Sequence, residues 1–194
     1  MSEDESPLRV EGVAGLRDWL SRNGDAVAGV WLVRPRKGKA GHMPIRDLTR
    51  TLLCFGWVDS SVKKLDDTAS LIRIAPRSPN SAWSALNKRL VDDARRDGEM
   101  TPRGEALVAA AKANGMWEFL DDVEAGIVPE DLARALNAAK ARETFDRFPF
   151  SSRRGILEWI KQAKRADTRA KRIARTAALA ARGIRALSPD AKGL

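Results

Sequence analysis

A chain of 194 residues with 43% apolar content and six tryptophans can bury roughly 70% of its unfolded surface, so it needs no staple to hold a core. One cysteine excludes an internal disulfide and a cysteine-based zinc cluster, and one histidine excludes a multi-histidine metal site. The net charge of +9 is concentrated in residues 31–64, at +6, and residues 151–194, at +9, while residues 1–30 and 101–150 each stand at −3, so the partners to consider are anionic: nucleic acid, a lipid head group or an acidic protein.

The pattern predicts a short helix over 13–22, with Leu16, Trp19 and Leu20 on one side and Gly24 closing it. A strand is predicted over 27–33, where Val30, Trp31, Leu32 and Val33 form a β-branched and aromatic run. The basic loop Arg34-Pro35-Arg36-Lys37-Gly38-Lys39 stops it. That loop contains a Gly-Lys pair but lacks the full spacing of a phosphate-binding loop. A second helix is predicted over 46–55, because Leu48, Leu52 and Phe55 recur at helical spacing and Gly56 suits the left-handed closing position. Residues 57–64 and 70–74 then read as a hairpin around Leu65-Asp66-Asp67-Thr68. Asn80 or Ser81 is expected to cap the next helix, whose apolar stripe is Trp83, Leu86, Leu90 and Ala94, with Gly98 ending it. Thr101-Pro102 starts another, with threonine as cap and proline where no donor is lost, and Gly115 ends it.

From Pro102 onward the pattern is helical. Glu130 and Asp131 suit a first turn, and Leu132 and Leu136 give that helix its apolar side. Ser151 or Ser152 is expected to cap a helix that buries Ile156, Ile160 and Ala163. A last helix starts at Asp167 or Thr168, with Ile173, Ala177, Ala181 and Ile184 on one stripe. The organisation expected is a mixed region over 1–100, a helical region with basic C-terminal helices over 101–187, and a tail over 188–194. The fold class is α+β: a small antiparallel sheet with helices, followed by a helical C-terminal region. The Met1–Pro7 segment lacks the basic start and apolar run of a secretion signal. No apolar run reaches the roughly 20 residues that span a bilayer. The expected location is the cytoplasm, and the sequence does not set an oligomeric state.

Four stretches act together as a signature: Cys54-Phe55-Gly56-Trp57-Val58-Asp59; Pro76-Arg77-Ser78-Pro79 with Ser81-Ala82-Trp83-Ser84 and Asn87; Gly98-Glu99-Met100-Thr101-Pro102-Arg103-Gly104; and Trp159-Ile160 with Ala163-Lys164-Arg165 and Thr168-Arg169-Ala170-Lys171-Arg172-Ile173. In this order and spacing they resemble the YdeI/OmpD-associated family, also called bacteriocin-protection proteins, over about residues 12–186. The departures are mild: Val58 and Ser60 flank the acid where the family has isoleucine and often glycine, and Asp167 stands where it often has glutamate. The resemblance implies a role in resistance to bacteriocins or antimicrobial peptides, under stress, and an association with an outer-membrane porin. It supplies no catalytic residues.

The residues themselves offer several candidates. Asp59 beside Trp57 reads either as a carboxyl of raised pKa able to act as a general base, or as a turn cap or partner for Arg73 or Arg77, and the structural reading is favoured. Cys54 falls at a helix C-terminus between Leu53 and Phe55, the setting of a buried inert thiol rather than a nucleophile. His42 flanks the same helix about 18 Å away at a rise of ~1.5 Å per residue, too far to activate Cys54. Trp57, Asp59, Arg73, Arg77, Trp83, Ser84 and Asn87 form the candidate ligand-binding set. Arginine offers a planar fork to a carboxylate or phosphate, tryptophan stacks, and Ser84 and Asn87 share a helix side. The opposing reading pairs Arg77 with Asp59 and sinks Trp83 into the core. At the C-terminus, Lys171, Arg175, Arg182 and Arg185 cluster opposite Ile173 at about 100° per residue, giving either a candidate surface for an anionic partner or a solvated helix face. The function expected is a non-enzymatic protein of stress or antimicrobial-peptide protection. The alternatives are a nucleic-acid or small-anion binder, and an enzyme using Asp59. No metal and no cofactor is expected.

Overall fold

Helices and a small antiparallel sheet alternate through the first half of the chain and helices alone fill the second, in a computed structural model that describes residues 6–24 and 28–191. The fold is α+β. Two compact units divide after Phe119.

In the first unit, α1 (Gly12–Asn23) leads to β1 (Val30–Pro35), α2 (Ile45–Cys54), the hairpin β2 (Trp57–Lys64) and β3 (Ala69–Pro76), then α3 (Ala85–Arg96) and α4 (Pro102–Ala113). The expected strand start at Val27 lies outside the described residues. The sheet order is β1-β3-β2, all antiparallel. Residues directly opposite in such a sheet share a face and neighbours alternate. Leu32 opposite Ile72 and Val30 opposite Ile74 therefore define the inner face. They join Leu16, Leu20, Leu48, Leu52, Cys54 and Trp57 in one core cluster under α1 and α2. Trp31 opposite Arg73 and Val33 opposite Leu71 define the outer face. Between Asp59 and Val62 β2 carries one more residue than β3, a bulge that returns Val62 to the side of Asp59. At the other border, Leu8 donates to Trp31 O (2.7 Å) and accepts from Val33 N (2.8 Å), so the N-terminal segment lies along β1.

Gly56, at φ +69°, turns the chain between α2 and β2, a conformation that costs glycine nothing. A second cluster holds Leu53, Trp83, Leu90, Val91, Val108 and Ala111, joining α2 to α3 and α4. Thr101 caps α4: its hydroxyl accepts from Gly104 N (3.3 Å) and donates to Cys54 O (2.6 Å). Gly104 lies flat on that carbonyl, where a Cβ would overlap the oxygen and sit 2.9 Å from Cys54 C and Leu53 O. The helix over 102–113 thus belongs with the first unit.

Two local expectations for α3 are corrected. Ser84, not Asn80 or Ser81, is the cap, and its Oγ accepts from Asn87 N (3.2 Å). Of the expected stripe, Leu90 and Ala94 are buried within the helix and Trp83 ahead of it, while Leu86 in the first turn is 44% exposed and Val91 is buried in addition.

The second unit holds α5 (Asp121–Glu124), α6 (Glu130–Ala138), α7 (Arg142–Asp146), α8 (Phe150–Lys161) and α9 (Ala166–Ala181). Leu132, Leu136, Phe145, Ile156, Leu157, Ile160, Ile173, Ala177 and Ala180 are buried in it. Arg169 grips Asp131 with two bonds, Nε to Oδ2 at 2.7 Å and Nη2 to Oδ1 at 2.9 Å, fixing α9 on α6. Asp122 pairs with Lys161 (2.6 Å), and Glu124 with Arg154 (2.7 Å). α8 begins directly after Pro149 with no side-chain cap, so neither Ser151 nor Ser152 serves as one, and Ala163 falls beyond its end. α9 stops at Ala181. Gly183 takes φ +73°, its N–H bonds Ala180 O (2.9 Å) and Ile184 N–H bonds Leu179 O (2.9 Å), the paired closure of a left-handed helix end. The apolar stripe accordingly shifts: Ala181 is exposed, and Thr176, Leu179 and Ala180 are buried.

Candidate functional site

Arg77 follows β3 directly, and its N–H bonds Gly56 O (2.9 Å), closing the strand end against the turn into β2. Its side chain folds inward and is only 5% exposed. The guanidinium lies over the Trp83 ring at 4.1 Å, and Nη2 donates to Ala82 O at 2.6 Å. Nε is buried without a partner. Burial pushes the Arg77 pKa down to about 10, and the charge of Asp59 works against that fall. The group stays cationic at neutral pH. Asp59 is half-buried and accepts from Thr49 Oγ1 at 3.4 Å. Its attraction to Arg77 acts through space, with no ion pair between the two among the described contacts.

Trp83 is anchored by its N–H to Met116 O (3.2 Å), and its ring meets Trp117 at 5.0 Å. Lys112 stands over Trp117 at 5.2 Å. Arg77, the two indoles tilted 44° to each other, and Lys112 thus make a chain of ring contacts from the second core cluster to the surface. Such contacts are favourable beyond the area they bury.

The candidate ligand-binding residues are distributed as follows. Arg77 and Trp83 touch, and Ser84 and Asn87 adjoin them as the two halves of a helix cap rather than as a shared helix side. Asp59 approaches from β2. Trp57 lies in the other core cluster, edge-on to Trp19 at 5.7 Å, with Nε1 donating to Gly24 O (3.3 Å). Arg73 is on the outer face of β3, opposite in direction to Asp59, which pairs with Ile74. Arg73 and Asp59 are therefore kept apart by the sheet itself.

Cys54 is fully buried, and burial pushes its thiol pKa up, with Arg17 acting in the opposite sense. A thiol held neutral is neither nucleophile nor metal ligand. His42 bonds Pro35 O at 2.8 Å. Among the described residues no group of three or more His, Cys, Asp and Glu side chains could hold a metal ion, and no helix is long and apolar enough to cross a membrane.

The C-terminal cations do not share one helix face, because α9 ends before two of them. Lys171 is exposed on α9. Arg175 reaches across to Ala191 O (2.6 Å). Arg182 and Arg185 lie in the closing turn and beyond it, and Arg185 contacts Ser152 Oγ at 3.4 Å. Two further residues were not singled out from sequence as a site: Trp31, half-buried on the outer sheet face, and Lys63, whose Nζ stands over its ring at 4.4 Å. The alternation along β1 was the signal for Trp31; the register that brings Lys63 to it across β3 is set by the bulge.

Residues 8–107 match a family model described as a domain of unknown function, DUF8412. Residues 125–183 match the model described as bacteriocin-protection, YdeI or OmpD-associated. The chain belongs to the DUF8412 family, whose match spans just over half of it. The YdeI/OmpD-associated match lies wholly in the second unit and takes in α6 to α9, including the Trp159–Ile173 signature. The other three signature stretches fall in the DUF8412 match, which contains Asp59, Arg77 and Trp83. No curated protein and no solved structure matches the chain.

Proposed function

We propose that the protein acts by binding, not catalysis, in protection of the cell against bacteriocins or other antimicrobial peptides, and that it does so from the cytoplasm. The observation that carries the reading is the match of residues 125–183 to the family of that description. The chemistry of the first unit is compatible with it. Cys54 is buried with its thiol held neutral, and Asp59 faces a threonine hydroxyl and a distant guanidinium rather than a base-and-nucleophile pair. The test is genetic. Deleting the gene should sensitise cells to a membrane-active peptide, and restoring the intact chain should reverse it. Unchanged sensitivity overturns the reading.

A second reading is favoured by one observation, the buried Nε of Arg77 with no partner. A small carboxylate or phosphate reaching Arg77 and Trp83 would satisfy that donor. A thermal-shift screen with inorganic phosphate and simple carboxylates tests it. Stabilisation lost in Arg77→Met supports the reading, and its retention in that variant dismisses it. An enzyme using Asp59 has no such observation in its favour.

A further inference from the structure

The inner face of the sheet is covered by α1 and α2, and its outer face carries a different chemistry. Trp31 stands there half-exposed. Arg73 is its direct cross-strand partner. Lys63, opposite Leu71 on the next strand, places its ammonium 4.4 Å above the indole. Beyond the opposite end of β1 from Trp31, after Pro35, runs the loop of Arg36, Lys37 and Lys39, all exposed, tied to the hairpin by Arg36 N–H to Thr68 O (2.8 Å). Among the described residues no carboxylate pairs with any of these five cations. The acids of the hairpin turn are already engaged: Asp66 accepts from Thr68 N and Oγ1 and from Ala69 N, and Asp67 pairs with Lys64. The one acid of the β2 body, Asp59, points to the other side of the sheet.

We propose that this outer face binds single-stranded nucleic acid, with Trp31 as the stacking surface and Lys63, Arg73 and the 36–39 loop as phosphate contacts. Proteins that hold single strands without reading sequence combine an aromatic platform with cations that track the backbone. That combination is what the strand register assembles here. The Lys63–Trp31 contact fits the role, since an exposed cation–π contact is weak and a base can take the ring while the ammonium moves to a phosphate. A lipid surface calls for large apolar side chains projecting outward, and here Val33 is buried and Leu71 half-buried. A duplex offers phosphates but no unstacked base for Trp31. The proposal rests on this face alone and not on the protective role proposed above.

The test is fluorescence anisotropy of the full chain with a labelled oligothymidylate of about 15 nucleotides, a length within the range of single-strand sites. Binding at low salt is expected, stronger than to a duplex of equal length. Its log–log salt slope should be about −3.5, from five phosphate contacts at about −0.7 each. Trp31→Leu should weaken binding by about tenfold or more, and Lys63→Gln with Arg73→Gln should make the slope shallower by about 1.4. Lys171→Ala with Arg182→Ala should change neither. If Trp31→Leu fails to fold, the Lys63→Gln, Arg73→Gln pair carries the test through the slope. Absence of binding at low salt, equal or tighter binding of duplex, or full affinity in folded Trp31→Leu overturns the proposal. So does capture by phosphatidylglycerol vesicles in place of the oligonucleotide.

Discussion

The guanidinium of Arg77 lies over the indole of Trp83, 4.1 Å from the ring centroid, and among the described residues its one hydrogen bond runs from Nη2 to Ala82 O. Its Nε meets no acceptor, so the charge is packed well and solvated poorly. Breaking and replacing this arginine should then have opposite outcomes. Arg77→Ala leaves a void beside Trp83 and should cost about 2–3 kcal/mol. Arg77→Met fills the space without a charge and should be neutral or stabilising by about 1 kcal/mol. Urea unfolding of both variants decides it. Arg77→Met less stable than Arg77→Ala would mean that the charge itself holds the core together.

The same residue has a pH signature. Its pKa in the folded protein is lowered to about 10 from its ordinary value. Below that pH both folded and unfolded chains keep the proton, and the burial penalty is constant. Above it the folded state sheds the proton first, so the unfolded state binds more protons and the penalty is relieved. The advantage of Arg77→Met over the parent should therefore hold at neutral pH and shrink as pH rises past about 10. Melts of the two proteins in parallel at neutral and alkaline pH give the difference. A gap that widens on the alkaline side contradicts the assignment.

Gly104 and Gly155 should answer alanine in opposite senses. At Gly104 a Cβ meets the Cys54 carbonyl, which is backbone and cannot swing aside, so Gly104→Ala should cost about 3 kcal/mol. At Gly155, inside α8, the nearest atom is Leu187 Cδ1 at 3.9 Å, so Gly155→Ala should gain about 0.4–1 kcal/mol. Each change sits in a different unit, so denaturant curves followed by more than one probe are needed, since two units need not unfold together.

Asp131 should tie the second unit to pH from the acid side. The bond from Arg169 holds its carboxyl below the usual carboxylate range, with burial opposing. A carboxyl lowered on folding contributes stability above its unfolded pKa of about 3.9, and that contribution fades as pH falls through the folded value. Both side chains are about a third exposed, so screening limits the effect, and Asp131→Asn should cost about 1 kcal/mol near neutrality. The two proteins should converge as pH falls through the lowered folded value of Asp131. A constant difference across that range would assign the loss to packing.

Cys54 should react with a thiol reagent only when the first unit opens. It is fully buried with its pKa raised by burial, and the thiolate is the reactive form. Modification in native buffer should be slow and set by opening, while in denaturant it should be fast and complete. Rapid native labelling would place the thiol at the surface.

The elements that could be read from sequence are those whose signals are local. The hairpin, the Thr101-Pro102 start and the Gly56 turn each depend on a few adjacent residues, and each is present. The α3 start was misplaced because Asn80, Ser81 and Ser84 are all competent caps, and Met116, which holds Trp83 outside the helix, is far along the chain. The basic cluster of residues 171–185 assumed one helical phase, and Gly183 breaks it. In the candidate site, the closeness of Arg77 and Trp83 was legible, since a loop of five residues separates them. The placing of Arg73 and Asp59 on opposite faces was not, because it depends on the register between two strands.

The sheet has two outer borders, and they are closed to newcomers by different means. On the β1 side the Leu8 segment already takes the hydrogen bonds of Trp31 and Val33. On the β2 side the bulge after Asp59 and the neighbouring Lys63 and Lys64 spoil the straight, uncharged ribbon that another strand would need. A three-stranded sheet with exposed Val62 is otherwise an inviting template for fibre growth. Here the extra residue and the two lysines work against the addition of another strand at that border.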